Sequence, residues 1–217
     1  MKLLTNKVNP EKIILGPGAA IFFNWTLGEE NMIDVGATQG DVTFSYTPEF
    51  ENIKIRNTRG KVRGLTYVSD SETKIKGSFL EFLDPASIKN FLLNAEVKEY
   101  TKDGTGVDGT PKGKGVIVRA NESLIDFCGG SPYLEDVTII GQKNNGDLYR
   151  ISVFNALPTS GLESVFGDAE VAAEIEFEGY NDPKDPMKAP FEIEIFEPEQ
   201  KCPVVPPETK VLETKNN

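Results

Sequence analysis

The chain of 217 residues has no histidine, two cysteines and one tryptophan, and its 23 lysines and arginines are outnumbered by 34 acidic residues. The missing histidine removes the commonest general base, the usual partner of a nucleophilic serine or cysteine, and the commonest metal ligand. Cys128, beside Gly129-Gly130, and Cys202, in a proline-rich stretch, lie far apart, and a reduced thiol pair suits them better than a disulfide framework. A formal charge of -11 and a pI near 4.6 leave no broad basic face to neutralise phosphates, which argues against a general nucleic-acid binder. Long hydrophobic runs are missing too. No window approaches a membrane span, and the apolar run at Met1-Lys2-Leu3-Leu4 is too short for a signal peptide. The sequons at Asn24 and Asn121 therefore carry no weight.

What remains is a length suited to one medium domain whose core needs no staples. Alternation dominates it. Val42, Phe44 and Tyr46 share one strand face within 32–46, with Thr43 and Ser45 on the other. Pro48 reads as a break, Ile53 and Ile55 alternate with Lys54, and 73–82 reads as a further strand. In the second half, 137–141 and 148–154 flank Asn144-Asn145-Gly146-Asp147, whose Asn-Gly pair predicts a hairpin. Residues 170–180 set Val171, Ala173, Ile175 and Phe177 against Glu174, Glu176 and Glu178. Residues 191–196 set Phe191, Ile193 and Ile195 against Glu192 and Glu194. Each such strand buries one face and shows carboxylates on the other.

One helix is expected over about 84–95. Asp84 can cap it, Pro85 suits its first turn, and Ile88, Phe91, Leu92 and Ala95 form one stripe. A short helix is also expected over 159–166. Residues 1–12 read as a flexible arm, 13–196 as a single domain, 103–115 as a mobile glycine-rich loop, and 197–217 as a proline-rich disordered tail.

Three patterns that invite chemistry do not hold up. Gly16-Pro17-Gly18 lacks the third glycine and the following helix of a dinucleotide loop. Asp103 and Asp108 lack the alternating ligands and closing glutamate of a calcium loop. The paired glutamates could serve as acid and base if burial separated their pKa values, but carboxylates on regular half-exposed strands are the commonest solvated pattern. No catalytic, cofactor-binding or metal-binding residue is assigned, and the chain reads as a non-enzyme.

The unusual stretch is basic. Lys54, Arg56, Arg59, Lys61 and Arg63 place five cations within ten residues of an acidic chain, with Gly60 and Gly64 for turns and Leu65, Tyr67 and Val68 for apolar surface. A long basic loop or hairpin over about 54–71 follows.

The run Ile33-Asp34-Val35-Gly36-Ala37-Thr38-Gln39-Gly40-Asp41-Val42-Thr43-Phe44, then Thr58-Arg59-Gly60-Lys61-Val62-Arg63-Gly64 and Ile75-Lys76-Gly77-Ser78-Phe79-Leu80-Glu81-Phe82, resembles the N-terminal half of tail tube proteins (major tail proteins) of long-tailed phages. Phe154-Asn155-Ala156-Leu157-Pro158, Phe166-Gly167-Asp168-Ala169-Glu170-Val171 and Phe177-Glu178-Gly179-Tyr180-Asn181-Asp182-Pro183 are similar to their C-terminal half. The resemblance covers most of residues 30–196; 101–132 and the stretch after Glu197 match nothing. It implies a two-sheet β-sandwich with a flanking helix, associating into stacked hexameric rings around a tape-measure protein. The tube so formed is a conduit for DNA, capped by tail-tip and terminator proteins, in the virion tail after assembly in the host cytoplasm, without membrane insertion.

On that reading Lys54, Arg56, Arg59, Lys61 and Arg63, with Leu65 and Tyr67, form a subunit interface with a neighbouring protomer, and Glu174, Glu176, Glu178, Glu192 and Glu194 form an acidic lumen face. The alternatives are another virion structural protein, such as a tail-completion or decoration protein, or a surface-binding β-sandwich module.

Overall fold

In a computed structural model of the chain, the described residues are 19–84, 87–92, 95–102, 113–120, 131–143, 146–164 and 170–196. The expected segments 1–12 and 197–217 lie outside them. In chain order the elements are β1 (Ala20–Phe23), a 3-10 turn (Trp25–Leu27), β2 (Ile33–Asp34), β3 (Thr38–Asn52), β4 (Thr66–Phe79) and α1 (Ile88–Phe91). They continue with β5 (Glu96–Lys102), β6 (Gly113–Arg119), β7 (Leu134–Gln142), β8 (Leu148–Pro158), β9 (Glu163–Ser164), β10 (Ala173–Gly179) and β11 (Phe191–Phe196). The protein is mainly β, with one short helix.

The hairpin β7–β8 forms where Asn-Gly predicts it, with Gly146 at φ 91° and the Lys143 N–H donating to the Asp147 carbonyl at 2.7 Å. From β8 the ladder runs one way through β7 and β1 to β2, and the other way through β10 and β4 to β3. All the pairings are antiparallel. The fold turns at Asn155, which takes a left-handed φ of 48° and anchors its side-chain amide on the Tyr180 carbonyl at 3.0 Å. Before this kink, 148–153 of β8 pair with β11; after it, 156–158 pair with β10. One strand thus serves two neighbours on the same side, and the sheet divides into two layers.

The layers face each other across aromatic rings. Phe23 of β1 stands 5.3 Å from Phe177 of β10 and 5.3 Å from Phe91 of α1, and Phe79 of β4 lies 5.0 Å from Phe91. All four rings are buried, with Ile21, Ile75, Val137, Val153 and Ile175 around them. Toward the other end, Phe191 of β11 meets Phe44 and Tyr46 of β3 at 5.4 and 4.8 Å although β3 and β11 share no ladder. The inward residues of β10 and β7 are those that alternation selects. On the far side of β7, buried Asp136 accepts the Trp25 and Thr26 N–H groups at 3.1 and 2.9 Å and so fixes the 3-10 turn.

The expected elements shift in four places. Pro48 does not break β3: the strand continues to Asn52, because among the described residues β3 pairs only with β4 and an edge strand tolerates a residue with no N–H. The described helix is one turn rather than 84–95, although Phe91 is buried as the stripe requires and Asp84 accepts the Ser87 N–H at 3.3 Å. In place of a helix over 159–166, Thr159 donates its N–H to the Glu176 carbonyl and β9 pairs with β10, supplying the neighbour that β8, ending at Pro158, no longer provides. Gly113, Lys114 and Gly115, assigned to a loop, pair with Lys102, Thr101 and Tyr100 in a separate two-stranded sheet; residues 103–112 lie outside the described set.

Candidate functional site

The basic stretch sits at the end of an arm. Strands β3 and β4 pair from Thr38↔Phe79 to Asn52↔Thr66, but β10 covers only 74–79 of β4. Beyond the pair Tyr46↔Thr73 the two strands continue alone, for about 20 Å at the usual rise per residue. The register slips between Glu49 and Phe50, a bulge that adds twist to the projecting ladder.

At the tip the Ile53 N–H donates to the Leu65 carbonyl at 2.9 Å, and the Ile55 carbonyl accepts both the N–H and the hydroxyl of Thr58. Asn57, Gly60 and Gly64 take φ values of 72, 90 and 87°, the left-handed turns that let thirteen residues close the hairpin (53–65). Lys54, Arg56, Arg59, Lys61 and Arg63 are all exposed, and among the described residues none enters an ion pair. Leu65 is half-buried, and the hydroxyl of Tyr67 donates to Glu51 at 2.8 Å, which raises the Tyr67 pKa above its ordinary value. The structure therefore brings the seven residues of the expected interface together on one arm.

The arm is also apolar. Phe50 and Ile53 are each 58% exposed, and Ile55, Tyr67 and Val68 are about half exposed. Phe50 lies on the same strand face as Phe44 and Tyr46, as the inward face of the sandwich runs out beyond the core. The alternation of Ile53 and Ile55 was visible in the sequence, but only the ladder reveals that no described residue covers them.

The five glutamates are arranged differently from a single uniform face. Glu174, Glu176 and Glu178 lie on β10, and Glu192 and Glu194 on β11, which share no ladder. Their neighbours supply cations. Lys76 reaches Glu174 at 3.3 Å and Lys74 reaches Glu176 at 3.2 Å, while Arg150 of β8 holds Glu192 at 2.7 Å and Glu194 at 2.9 Å. The carboxylate partner Glu176, and then Glu72, raise the Lys74 pKa. Five carboxylates against Lys74, Lys76 and Arg150 leave this set of side chains net negative by two. Cross-strand pairing explains how so many acids share strands without mutual repulsion dominating. Sequence reading missed these partners because register decides which Lys or Arg stands beside which Glu.

A second feature is an open recess of about 440 Å³ beside α1, lined by residues that include Asn24, Asn90, Tyr133, Glu135 and Asn155. Two of its amides are committed, since Asn24 accepts the Glu135 N–H at 3.1 Å and Asn155 donates to Tyr180. Among the described residues the buried Nδ2 of Asn90 has no acceptor. Among the described residues no cluster of acids and cysteines is arranged to hold a metal ion, and no helix is long and apolar enough to cross a membrane. No protein-family model matches the chain, and neither does any curated protein.

Proposed function

We propose that this protein is the structural subunit of a phage tail tube, self-assembling into stacked hexameric rings that form a hollow conduit for DNA. The observation that carries the reading is the β3–β4 arm: a cationic, apolar tip held about 20 Å beyond the core, whose charges find no partner on their own chain among the described residues. A projecting basic arm on a chain of net charge -11 is complementary to other copies of that chain. Such a contact joins one patch to a different patch, the heterologous geometry that builds rings and then stacks. The mainly β two-layer architecture and the resemblance across residues 30–196 support the same reading.

In this account Lys54, Arg56, Arg59, Lys61, Arg63, Leu65 and Tyr67 engage a neighbouring protomer. Glu174, Glu176, Glu178, Glu192 and Glu194 keep a lumen surface net negative, so that passing DNA is repelled rather than held. The partners are further copies, the tape-measure protein, and tail-tip and terminator proteins, in the virion tail. The test is the double reversal Arg59→Glu/Arg63→Glu, followed by light scattering and circular dichroism. Tube growth should stop while the monomer stays folded; tubes that still form at wild-type concentration would refute the assignment of the arm.

A further inference from the structure

If the arm docks on another copy, a particular strand should receive it, and β11 carries the matching pattern. Among the described residues β11 is an edge strand, paired only with β8. The Pro190 carbonyl accepts the Phe154 N–H at 2.9 Å, which fixes the backbone polarity that follows. Peptide groups alternate sides along a strand, so Glu192 and Glu194 turn theirs toward β8 and Phe191, Ile193 and Ile195 turn theirs to the open edge. The side chains divide the other way. Ile193 and Ile195 are 54% and 57% exposed on one face, and Glu192 and Glu194, sharing the single Arg150, stand half exposed on the opposite one.

The arm has the inverse pattern. Because the Ile53 N–H points inward to Leu65, Asn52 and Lys54 turn their peptide groups outward. Pro48 falls in the same outward set, where a missing N–H costs no ladder bond. β3 ends at Asn52 and a turn begins at Arg56, and alternation carried through the residues between sets Ile53 and Ile55 on one face and Lys54 on the other.

We propose that residues 51–55 of one copy add as a parallel strand to the open edge of β11 in a second copy. This rests on the self-assembly reading above and names the surface that receives the arm. Backbone parity selects the direction. In an antiparallel pair, residues that face each other through their peptide groups stand opposite, so Lys54 would stand beside Ile193 or Ile195 and put a cation on the isoleucine face. In a parallel pair, an outward residue stands opposite one whose groups point away. Lys54 then stands beside Glu194, Ile53 beside Ile193 and Ile55 beside Ile195. The Asn52 and Lys54 N–H groups donate to the Phe191 and Ile193 carbonyls, and the Ile193 and Ile195 N–H groups donate to the Asn52 and Lys54 carbonyls. Sliding by two residues, so that Ile53 meets Phe191, leaves Ile195 uncovered; this register covers all four isoleucines. Lys54 also brings a second cation to the two glutamates that, among the described residues, Arg150 alone serves.

The test uses full-length chains with Cys128 and Cys202 replaced by serine. Lys54→Cys and Glu194→Cys are placed in separate chains and mixed under mild oxidation, since Cα atoms opposed on neighbouring strands, about 5 Å apart, suit a disulfide. Both positions are exposed, and circular dichroism confirms that each variant is folded. A covalent dimer about tenfold above either chain alone is expected, together with intermolecular crosslinks when one chain carries both cysteines. An internal crosslink in a monomer would overturn the proposal in favour of the chain's own arm. If wild-type protein assembles but the mixture stays uncrosslinked, the strand pairing is wrong and self-assembly stands. If wild-type protein remains monomeric by light scattering, both readings fall.

Discussion

Replacing Gly179 by alanine probes the corner on which the two layers depend. Gly179 ends β10 opposite Ala156, just past the kink at Asn155 where β8 exchanges β11 for β10. A Cβ built there would lie 2.5 Å from Cγ1 of Val153, 3.2 Å from the Phe154 carbonyl oxygen and 3.3 Å from that of Pro190. Val153 is fully buried and stiff about its first side-chain torsion, so it cannot simply swing aside. The two carbonyls belong to backbone already committed to the corner, since the Pro190 oxygen accepts from Phe154 and the Phe154 oxygen from Tyr180. Overpacking of this kind costs about 1–3 kcal/mol. For a domain of this size that lowers Tm by about 2–4 °C per kcal/mol, or roughly 2–12 °C. Gly161→Ala is the control, because nothing lies within 4 Å of its Cβ position and its backbone is not left-handed. Thermal unfolding followed by circular dichroism compares the two. Equal Tm values would refute the corner as drawn.

Phe91→Ala removes the ring that ties α1 to Phe23 and Phe79, and chemical denaturation should show a loss of about 3–5 kcal/mol; a loss under 1 kcal/mol would mean that α1 is not part of the core. Arg150→Met leaves Glu192 and Glu194 without their shared cation, so amide exchange at Glu192 and Glu194, whose N–H groups face β8, should quicken while the β7 amides stay protected; unchanged exchange would show that the bridge does not hold β11. The pKa values of Lys74 and Tyr180 are raised in the folded state, the first by bonding to Glu176 and Glu72, the second by burial and then by the charge of Glu178. Raised values favour the protonated forms, so their contribution is complete below about pH 10 and is lost as pH climbs through the folded values. Lys74→Met should therefore flatten the fall in stability above about pH 10 in an alkaline denaturation series, and an identical fall would count against it.

What the sequence revealed depended on whether a signal was local. The period-two run at Ala173–Gly179, the Asn-Gly turn before β8, and the position of Phe91 on a helical stripe all express short-range geometry, and each reappears in the fold, whereas the run at Phe191–Phe196 forms its strand but leaves Ile193 and Ile195 exposed where alternation predicts a buried face. Pro48 misled because a proline looks the same in sequence whether its missing N–H faces a partner strand or open water. Strand β9 was illegible because it exists only to complete the ladder of β10 beyond the end of β8. The corner at Asn155 and the glutamate partners Lys74, Lys76 and Arg150 depend on register across strands distant in sequence. The basic run was plain from composition; that it stands on a ladder projecting past the core, with Ile53 and Ile55 uncovered, follows only from where β10 stops.

The central claim is self-assembly, and the direct measurement is negative-stain electron microscopy of purified, tag-free protein at high concentration, beside its mass in solution by light scattering. The account predicts hollow rings or tubes of uniform diameter. Monomers alone at every concentration, with no rings under any salt condition, would contradict it and favour a completion protein or a surface-binding module.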